Sequence, residues 1–459
     1  MKSREIYKRA FMLAVPMMIQ NGITNMVSLI DNVMVGKLGT EAMTAVSIAG
    51  QLIFVFSLAI FGGLSGPGIF GAQFFGQGNT EGIKNSFRMK MIIAVVCSVI
   101  GMTIFTLFGE ELINLYLRGE SGDIDKELTL YYAKEYLTIM LVQMLPFALI
   151  QVYATTLRET GDSVKPMVGG IASVIVDVVF NYILIYGKFG APALGVKGAA
   201  IATVLARFVE FAVVIIWAHA RKKKHTFLQK VFRTIKVPRE LAGKILIKGL
   251  PIFSNELLWA GGLAALTQCY SVRGLDIIAG LNISNALCNL LNVVFVSLGS
   301  AVGILTGQTL GAMEYEKAEK DAFSLMKFSC GICVLLTAIL ILLSGIFPKF
   351  YDTTEEIRSY GQFFIIITAC FFPVQGFLNA LYFTLRSGGK TLITFLFDSV
   401  YSWVICVPVA VILCEYTPLD VFLIYAIIQA LDIIKIVIGY TLVKSGIWIS
   451  NIVNEESKA

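Results

Sequence analysis

Long apolar runs dominate the chain, and they outlast the strands and amphipathic helices of an ordinary soluble domain. A helix needs about 20 apolar residues to cross the hydrocarbon core of a bilayer. Twelve runs of that kind are readable, at 10–35, 45–70, 89–109, 133–157, 165–187, 196–219, 246–270, 277–303, 325–347, 358–385, 392–414 and 418–443. The segments between them are short, and no long hydrophilic domain intervenes. A lipid-facing barrel would alternate apolar and polar positions over about ten residues. Runs such as 92–108 are instead apolar throughout. The pattern therefore predicts an all-α membrane protein. The first run is long and carries Asp31, which separates it from a cleaved leader.

Polar landmarks recur along the chain. A shift of 235 residues superposes Pro16 on Pro251, Gly39 on Gly274, Gln73 on Gln308, Gly76 on Gly311 and Glu81 on Glu316. A shift of 228 superposes Leu157-Arg158 on Leu385-Arg386 and Gly161 on Gly389, and Pro146 meets Pro373 at 227. The chain thus reads as a duplication: a first six-helix bundle over 1–219, a basic linker at 220–245, a second bundle over 246–443 and a tail at 444–459. Six spans return the chain to its starting side, so the two halves have the same orientation and are related by an axis along the membrane normal. Two such bundles facing each other predict a central cleft open to alternate sides in turn.

Composition agrees with a lipid environment. Of the 459 residues, 56% are hydrophobic and 15% charged, with mean hydropathy +0.77; soluble domains carry about 25% charged residues. Lys and Arg are unevenly distributed. With the N-terminus inside, cytoplasmic segments hold 26 of the 37, external loops hold 9, and Arg207 and Lys435 lie within spans. The positive-inside rule then places both termini in the cytosol of a multi-pass protein of the plasma membrane. The 220–245 segment is the most basic. It reads as a topology anchor and interdomain linker, with anionic headgroups as the alternative ligand. The net charge of +6 resides in the loops and calls for no nucleic acid. The eight cysteines are scattered, with a single C-x-x-C spacing, Cys330 and Cys333, inside the apolar ninth span, so they read as small apolar packing residues.

Ionisable and amide side chains inside the spans carry the candidate chemistry, because they are costly in hydrocarbon and usually face a cavity or a partner. In the first span Asn21, Asn25, Ser28 and Asn32 share one helical face, broadened by Thr24 and Asp31. The fifth span carries Asp177 and Asn181 one turn apart, and the sixth carries Thr203. Together they offer the hard oxygen ligands that a small cation takes. In the second half, Asn255 and Glu256 lie on the seventh span, and Asn282, Asn285, Asn289 and Asn292 form a stripe on the eighth. Gln375 and Asn379 lie on the tenth span, and Asp398, Tyr401 and Ser402 on the eleventh. Amide stripes also bind helix to helix, so the Asn282–Asn292 stripe reads equally as glue and as cavity lining. Asp31, Asp177 and Glu256 have no basic residue in the interior of their own spans, with Lys165 and Lys248 only at the edges of the fifth and seventh. Arg207 with Glu210, and Asp432 with Lys435, are spaced i, i+3 and read as self-neutralising pairs. His219 and His225 lie at the cytosolic edge of the sixth span, so coupling to an ion must run through carboxylates.

The order and spacing of these motifs resemble the multidrug and toxic compound extrusion (MATE) family over nearly the whole chain. The resemblance rests on Pro16, on Asp31-x4-Gly36-x2-Gly39, on Gly71-Ala72-Gln73-x2-Gly76, and on Leu157-Arg158-x2-Gly161-Asp162. It continues through Asn181-Tyr182-Ile183, Gly187, Gly190 and Pro192 to Gly198-Ala199-Ala200-Ile201-Ala202-Thr203. The second half adds Pro251 with Glu256, Gly307-Gln308-x2-Gly311 and Leu385-Arg386-x2-Gly389. This resemblance implies a V-shaped fold of two six-helix bundles around a central cavity. It also implies an antiporter that exports bulky, often cationic drugs or toxic metabolites in exchange for Na+ or H+. Asp31, Asp177, Asn181, Ala199 and Thr203 match the family's first-bundle cation site, and Glu256 matches an acid of sodium-coupled relatives. Their second acid, on the tenth span, is replaced near Phe372. The fifth span reads Asp then Asn, the reverse of several relatives.

Substrate contacts are expected from Asn21, Asn25, Asn282, Asn285, Gln375, Asn379 and Asp398. No cofactor beyond the coupling ion is expected, and the protein is expected to work as a monomer in the bilayer. A flippase for lipid-linked saccharides is the alternative of related fold. It would favour a cationic cavity for pyrophosphate, whereas the buried charges singled out here are acidic. No nucleophile–base pair, metal cluster or phosphate loop suggests an enzyme.

Overall fold

The structure, a computed structural model, describes residues 3–117, 125–351 and 353–454, and the side chains of 3, 4, 27–29 and 275 lie outside the description. Those residues form twelve long helices and no strand. In the first half these are α1 (Ser3–Gly36), α2 (Thr40–Gln77), α3 (Thr80–Tyr116), α4 (Lys126–Glu159), α5 (Val164–Tyr186) and α6 (Val196–Ala220). In the second half they are α7 (Arg239–Ser271), α8 (Leu275–Gly311), α9 (Tyr315–Ser344), α10 (Glu355–Ser387), α11 (Thr391–Tyr416) and α12 (Val421–Lys444).

Eleven of the helices are long and apolar enough to cross a membrane. The exception is α7. At 33 residues it is long enough, but Lys244, Lys248, Asn255, Glu256 and Gln268 dilute its apolar stretch. Several helix starts are fixed by side-chain caps, which satisfy amide groups left unpaired by the helix itself. Asp125 accepts from the amides of Glu127 and Leu128 at 2.9 and 3.1 Å. Asp420 accepts from the Phe422 amide at 2.8 Å.

Close contacts divide the chain into two compact units. One holds the described residues within Ile19–Gly68 and Thr80–Ala242. The other holds those within Met1–Met18, Ile69–Asn79 and Gly243–Ala459. Helices α1 and α2 therefore contribute residues to both.

In the first of these units α6 packs against α4 and α5, and α3 against α4. A cluster including Val35, Ala45, Ile113, Tyr136, Ile185 and Ala199 ties six helices around one core. Lys90 is fully buried there, with Nζ 2.7 Å from both oxygens of Glu159 and near the hydroxyls of Thr155 and Thr156. The segment after α6 folds back onto this unit. The Phe227 ring lies 5.7 Å from Phe87, Arg88 Nε donates to the Val231 carbonyl at 3.0 Å, and Lys224 pairs with Asp162 at 3.2 Å.

In the other unit α10 is central and packs on α8, α9 and α12. Two glycines permit backbone contact between α2 and α8. A Cβ on Gly76 would stand 1.8 Å from the Gln308 carbonyl oxygen, and one on Gly311 would stand 1.9 Å from that of Gln73. These are the glycine and glutamine pairs that the shift of 235 superposes. Gln73 is fully buried there; it donates to the Ser387 and Ser450 carbonyls at 2.9 and 3.2 Å and accepts from the Ile452 amide at 2.9 Å.

Candidate functional site

The first-half carboxylates converge through a close approach of α5 and α6. A Cβ on Gly198 would lie 2.5 Å from the Leu184 carbonyl oxygen, so these two backbones touch. Small residues allow this kind of contact between helices in membranes. The contact brings α5, which carries Asp177 and Asn181, against α6, which carries Ala199 and Thr203. Asp31 meets them from α1. Asn181 Nδ2 donates to Asp31 Oδ1 at 2.8 Å. The Asp177 carboxyl lies within hydrogen-bonding reach of the Asp31 and Thr203 side chains. Thr203 Oγ1 donates to the Ala199 carbonyl at 3.1 Å.

Two oxygens in this group are buried without a hydrogen bond: Asp177 Oδ1 and Asn181 Oδ1. Asp177 is 6% exposed and Asn181 fully buried. The nearby cation does not neutralise the group directly. Arg207 Nη1 pairs with Glu210 at 2.7 Å, as its spacing predicts, and its guanidinium lies over the Phe147 ring at 5.6 Å. Two carboxyl groups within reach of one another at low dielectric repel unless a proton or a cation sits between them. The unbonded oxygens are of the type that coordinates an alkali or other hard cation. Tyr136, buried on α4, adds a hydroxyl beside Thr203. Sequence reading missed it, because a lone tyrosine in an apolar helix carries no pattern.

Of the remaining first-span residues, Asn21 and Asn25 are half-buried. In the same region Gln20 accepts from Arg158 Nη2 at 2.7 Å, and Thr24 Oγ1 donates to the Gln20 carbonyl at 2.9 Å.

The second-half residues gather elsewhere. Asn255 Nδ2 donates to Asp398 Oδ2 at 3.1 Å and to the Tyr382 hydroxyl at 3.2 Å, and Ser399 Oγ donates to Asn255 Oδ1 at 2.6 Å. The basic residues of α7 itself, Arg239, Lys244 and Lys248, lie two or more turns before Glu256, and α10 supplies a nearer one: Arg386 Nη1 lies 3.9 Å from Glu256 Oε1. Lys435 pairs with Asp432 at 3.3 Å, as the spacing predicts, and also with Asp398 at 3.4 Å. Gln375 Nε2 donates to Asp432 Oδ2 at 2.5 Å, and Asn379 Nδ2 to the Gln375 carbonyl at 3.1 Å. Two π-helical stretches in α11, Leu396–Val400 and Ser402–Cys406, carry Asp398 and Ser402. Such wide turns often mark functional positions in helices. The structure does not bring Asn282 and Asn285 into this group. Both are exposed on α8, as is Asn289, which accepts from Asn292 at 3.1 Å. Phe372, at the place of the missing acid, is buried edge-on against Phe295.

Comparison with known proteins agrees with these observations. The MatE family model matches residues 16–183 and 251–413, one stretch in each half. The chain is 27% identical to a probable multidrug resistance protein, YoeA of Bacillus subtilis, over 91% of its own length and 89% of the relative's. It is 23% identical to a probable multidrug resistance protein, NorM of Thermotoga maritima, over 90% and 86% of the two chains. Among solved structures, it is similar to the outward-facing conformation of a multidrug resistance MATE family transporter, with TM-score 0.85 at 20% identity and 96% of each chain covered. A transporter of the MOP superfamily from Pyrococcus furiosus, described as having a binding pocket of reverse polarity, matches with TM-score 0.82 at 21% identity and the same coverage. With the family model covering well over half of the residues, the chain belongs to the multidrug and toxic compound extrusion family of multi-pass membrane transporters, which are not enzymes.

Proposed function

We propose that the chain exports bulky organic cations, drugs or toxic metabolites, in exchange for Na+ or H+ taken up by its first half. The observation that carries this reading is the pair of buried, unbonded oxygens on Asp177 and Asn181 beside the Asp31 carboxyl. A proton or a small cation there would relieve the repulsion between the two carboxyl groups and give the orphaned oxygens a partner. Asp31, Asp177, Asn181, the Ala199 carbonyl and Thr203 are the assigned ion ligands, with the ion itself as cargo. Asp31 stands on α1, a helix that contributes residues to both units. Ion binding there acts on a shared element, and any effect of the ion on substrate affinity is matched by an equal effect of substrate on ion affinity.

The substrate class is supported by the names of the relatives, probable multidrug resistance proteins, and by the carboxyl pair Asp31 and Asp177 of the first half. Glu256, Asp398, Gln375, Asn379, Asn21, Asn25, Asn282 and Asn285 are the candidate substrate contacts. The saccharide flippase is not favoured. The basic cytoplasmic loops support an orientation with both termini in the cytosol of the plasma membrane, with the monomer as the working unit.

Expression in a drug-sensitive host tests the reading. Asp31→Asn keeps the shape and removes the charge, so the variant should reach the membrane at wild-type level and lose efflux. Retained efflux would leave Asp31 as a packing group. Glu256→Gln separates the second role: loss of cation export with neutral compounds still exported marks a substrate contact, and loss of both marks an ion ligand.

A further inference from the structure

The buried charges of the second half have an arrangement that the coupling proposal does not use. Lys435 on α12 is 5% exposed. Its ammonium lies 3.4 Å from Asp398 Oδ1, 3.3 Å from Asp432 Oδ1 and 3.1 Å from Ser402 Oγ, with the Tyr401 ring centroid 5.4 Å away. The other carboxylate oxygens are held by amides, Asp398 Oδ2 by Asn255 and Asp432 Oδ2 by Gln375. Two carboxylate oxygens, a hydroxyl and an aromatic face from α11 and α12 thus surround one cation. That is the chemistry of a small ammonium site.

The internal repeat sharpens the point. The shift of 228 that superposes Arg158 on Arg386 also superposes Arg207 on Lys435 and Gly170 on Asp398. In the first half, the cation at this position pairs with Glu210 on its own helix, and oxygens of Asp177 and Asn181 are left unbonded. In the second half, the equivalent cation reaches across to a carboxylate that replaces a glycine. The two halves therefore differ in kind: one leaves oxygens open and the other fills them from within.

We infer that the second half contains a cation site whose occupant is the chain's own Lys435 ammonium, and that removing this side chain leaves a site for a small primary ammonium ion. While Lys435 is in place this site takes up no exchangeable ion. The inference does not need the coupling proposal to hold, because it concerns different residues and a binding readout.

The test uses purified full-length protein carrying Asp31→Asn throughout, so that the first half does not contribute. Thermal unfolding is followed in ethylammonium chloride, with tetramethylammonium chloride of equal concentration as the control for ionic strength. With Lys435→Ala added, the unfolding temperature should be lowered in tetramethylammonium and should rise to a plateau with ethylammonium. Adding Asp398→Asn as well should abolish that rise. A Lys435→Ala protein that is as stable as its parent, or that answers equally to both salts, would overturn the inference. If Lys435→Ala is recovered only when ethylammonium is present during purification, the inference is supported. The parent protein provides a separate test that does not depend on folding of the Lys435→Ala variant: with Lys435 in place this site should take neither ethylammonium nor Na+, and a saturable unfolding shift that Asp398→Asn abolishes would overturn the inference. A wild-type protein indifferent both to Na+ and to pH would speak against the coupling proposal alone.

Discussion

Gly76→Ala and Gly311→Ala each add one methyl group where there is no room for it. The added Cβ of Gly76→Ala would stand 1.8 Å from the Gln308 carbonyl oxygen, 2.6 Å from its carbon and 2.8 Å from its Cα. That of Gly311→Ala would meet the same three atoms of Gln73 at 1.9, 2.6 and 2.7 Å. All these atoms are backbone, so no rotamer change relieves the clash. Bringing the oxygen out to an ordinary contact requires the α2 and α8 backbones to separate by more than about 1 Å. The polar contacts around Gln73, at 2.9 Å to Ser387, 2.9 Å to Ile452 and 3.2 Å to Ser450, would then exceed hydrogen-bond length. So would those of Asn451 Nδ2 to the Leu310 and Gly311 carbonyls, at 3.1 and 3.3 Å. With each bond contributing about 0.5–1.5 kcal/mol, losing three or four of them weakens this contact by about 1.5–6 kcal/mol. Alanine is the better helix former by about 1 kcal/mol, which offsets only part of that. Gly331→Ala on α9 is the control, because an added Cβ there meets nothing within 4 Å. Thermal unfolding of the purified variants should show Gly331→Ala unchanged or more stable, and both other variants clearly less stable. Equal stability of all three would refute the close approach of α2 and α8.

Two further outcomes follow from buried charges. Lys90→Met leaves Glu159 buried without its cation; removing one partner of such a pair costs about 3–5 kcal/mol, and Lys90→Met/Glu159→Met should recover most of that loss in the same unfolding assay. His225 lies outside the spans, and burial pushes its imidazole below the usual histidine range, with Asp162 opposing the shift and Lys224 and Arg221 reinforcing it. The neutral ring contributes stability that is present above about pH 6.5 and is lost as pH falls through the lowered folded value. Unfolding of His225→Gln measured from pH 7.5 to 5 should therefore show a shallower loss of stability on the acid side than wild type.

Much of the fold was legible because lipid imposes a simple rule: every span must be a long apolar helix. The runs predicted from residue pattern became α1 to α12; most are extended by polar turns that hydropathy alone does not include, whereas α5, α6 and α12 stay within a few residues of the runs at 165–187, 196–219 and 418–443. Helix α7 fell short on apolarity for a readable reason, the lysines, amides and acid along its length. The duplication was legible in Gly76, Gly311, Gln73 and Gln308, and these residues meet one another in space. Pairings between helices were less legible. The i, i+3 spacing of Asp432 and Lys435 accounted for that charge locally and concealed its reach to Asp398, 37 residues away. Arg386 and Glu256 stand far apart in sequence and meet only because side chains of α7 and α10 reach one another. Such pairings depend on helix rotation, and in α11 on two π-helical stretches, neither of which leaves a mark in hydrophobic periodicity.

The central claim is that ion binding at the Asp31 carboxyl drives export, and reconstitution tests it most directly. Proteoliposomes holding a fluorescent organic cation at equal concentration inside and outside are followed under a Na+ gradient or a pH gradient imposed separately. The account predicts that wild-type protein releases the dye against its gradient with one of the two ions supplied, and that Asp31→Asn protein, inserted at the same density, does so with neither. Wild-type rates from the Asp31→Asn protein, or wild-type transport that ignores both gradients, would contradict it.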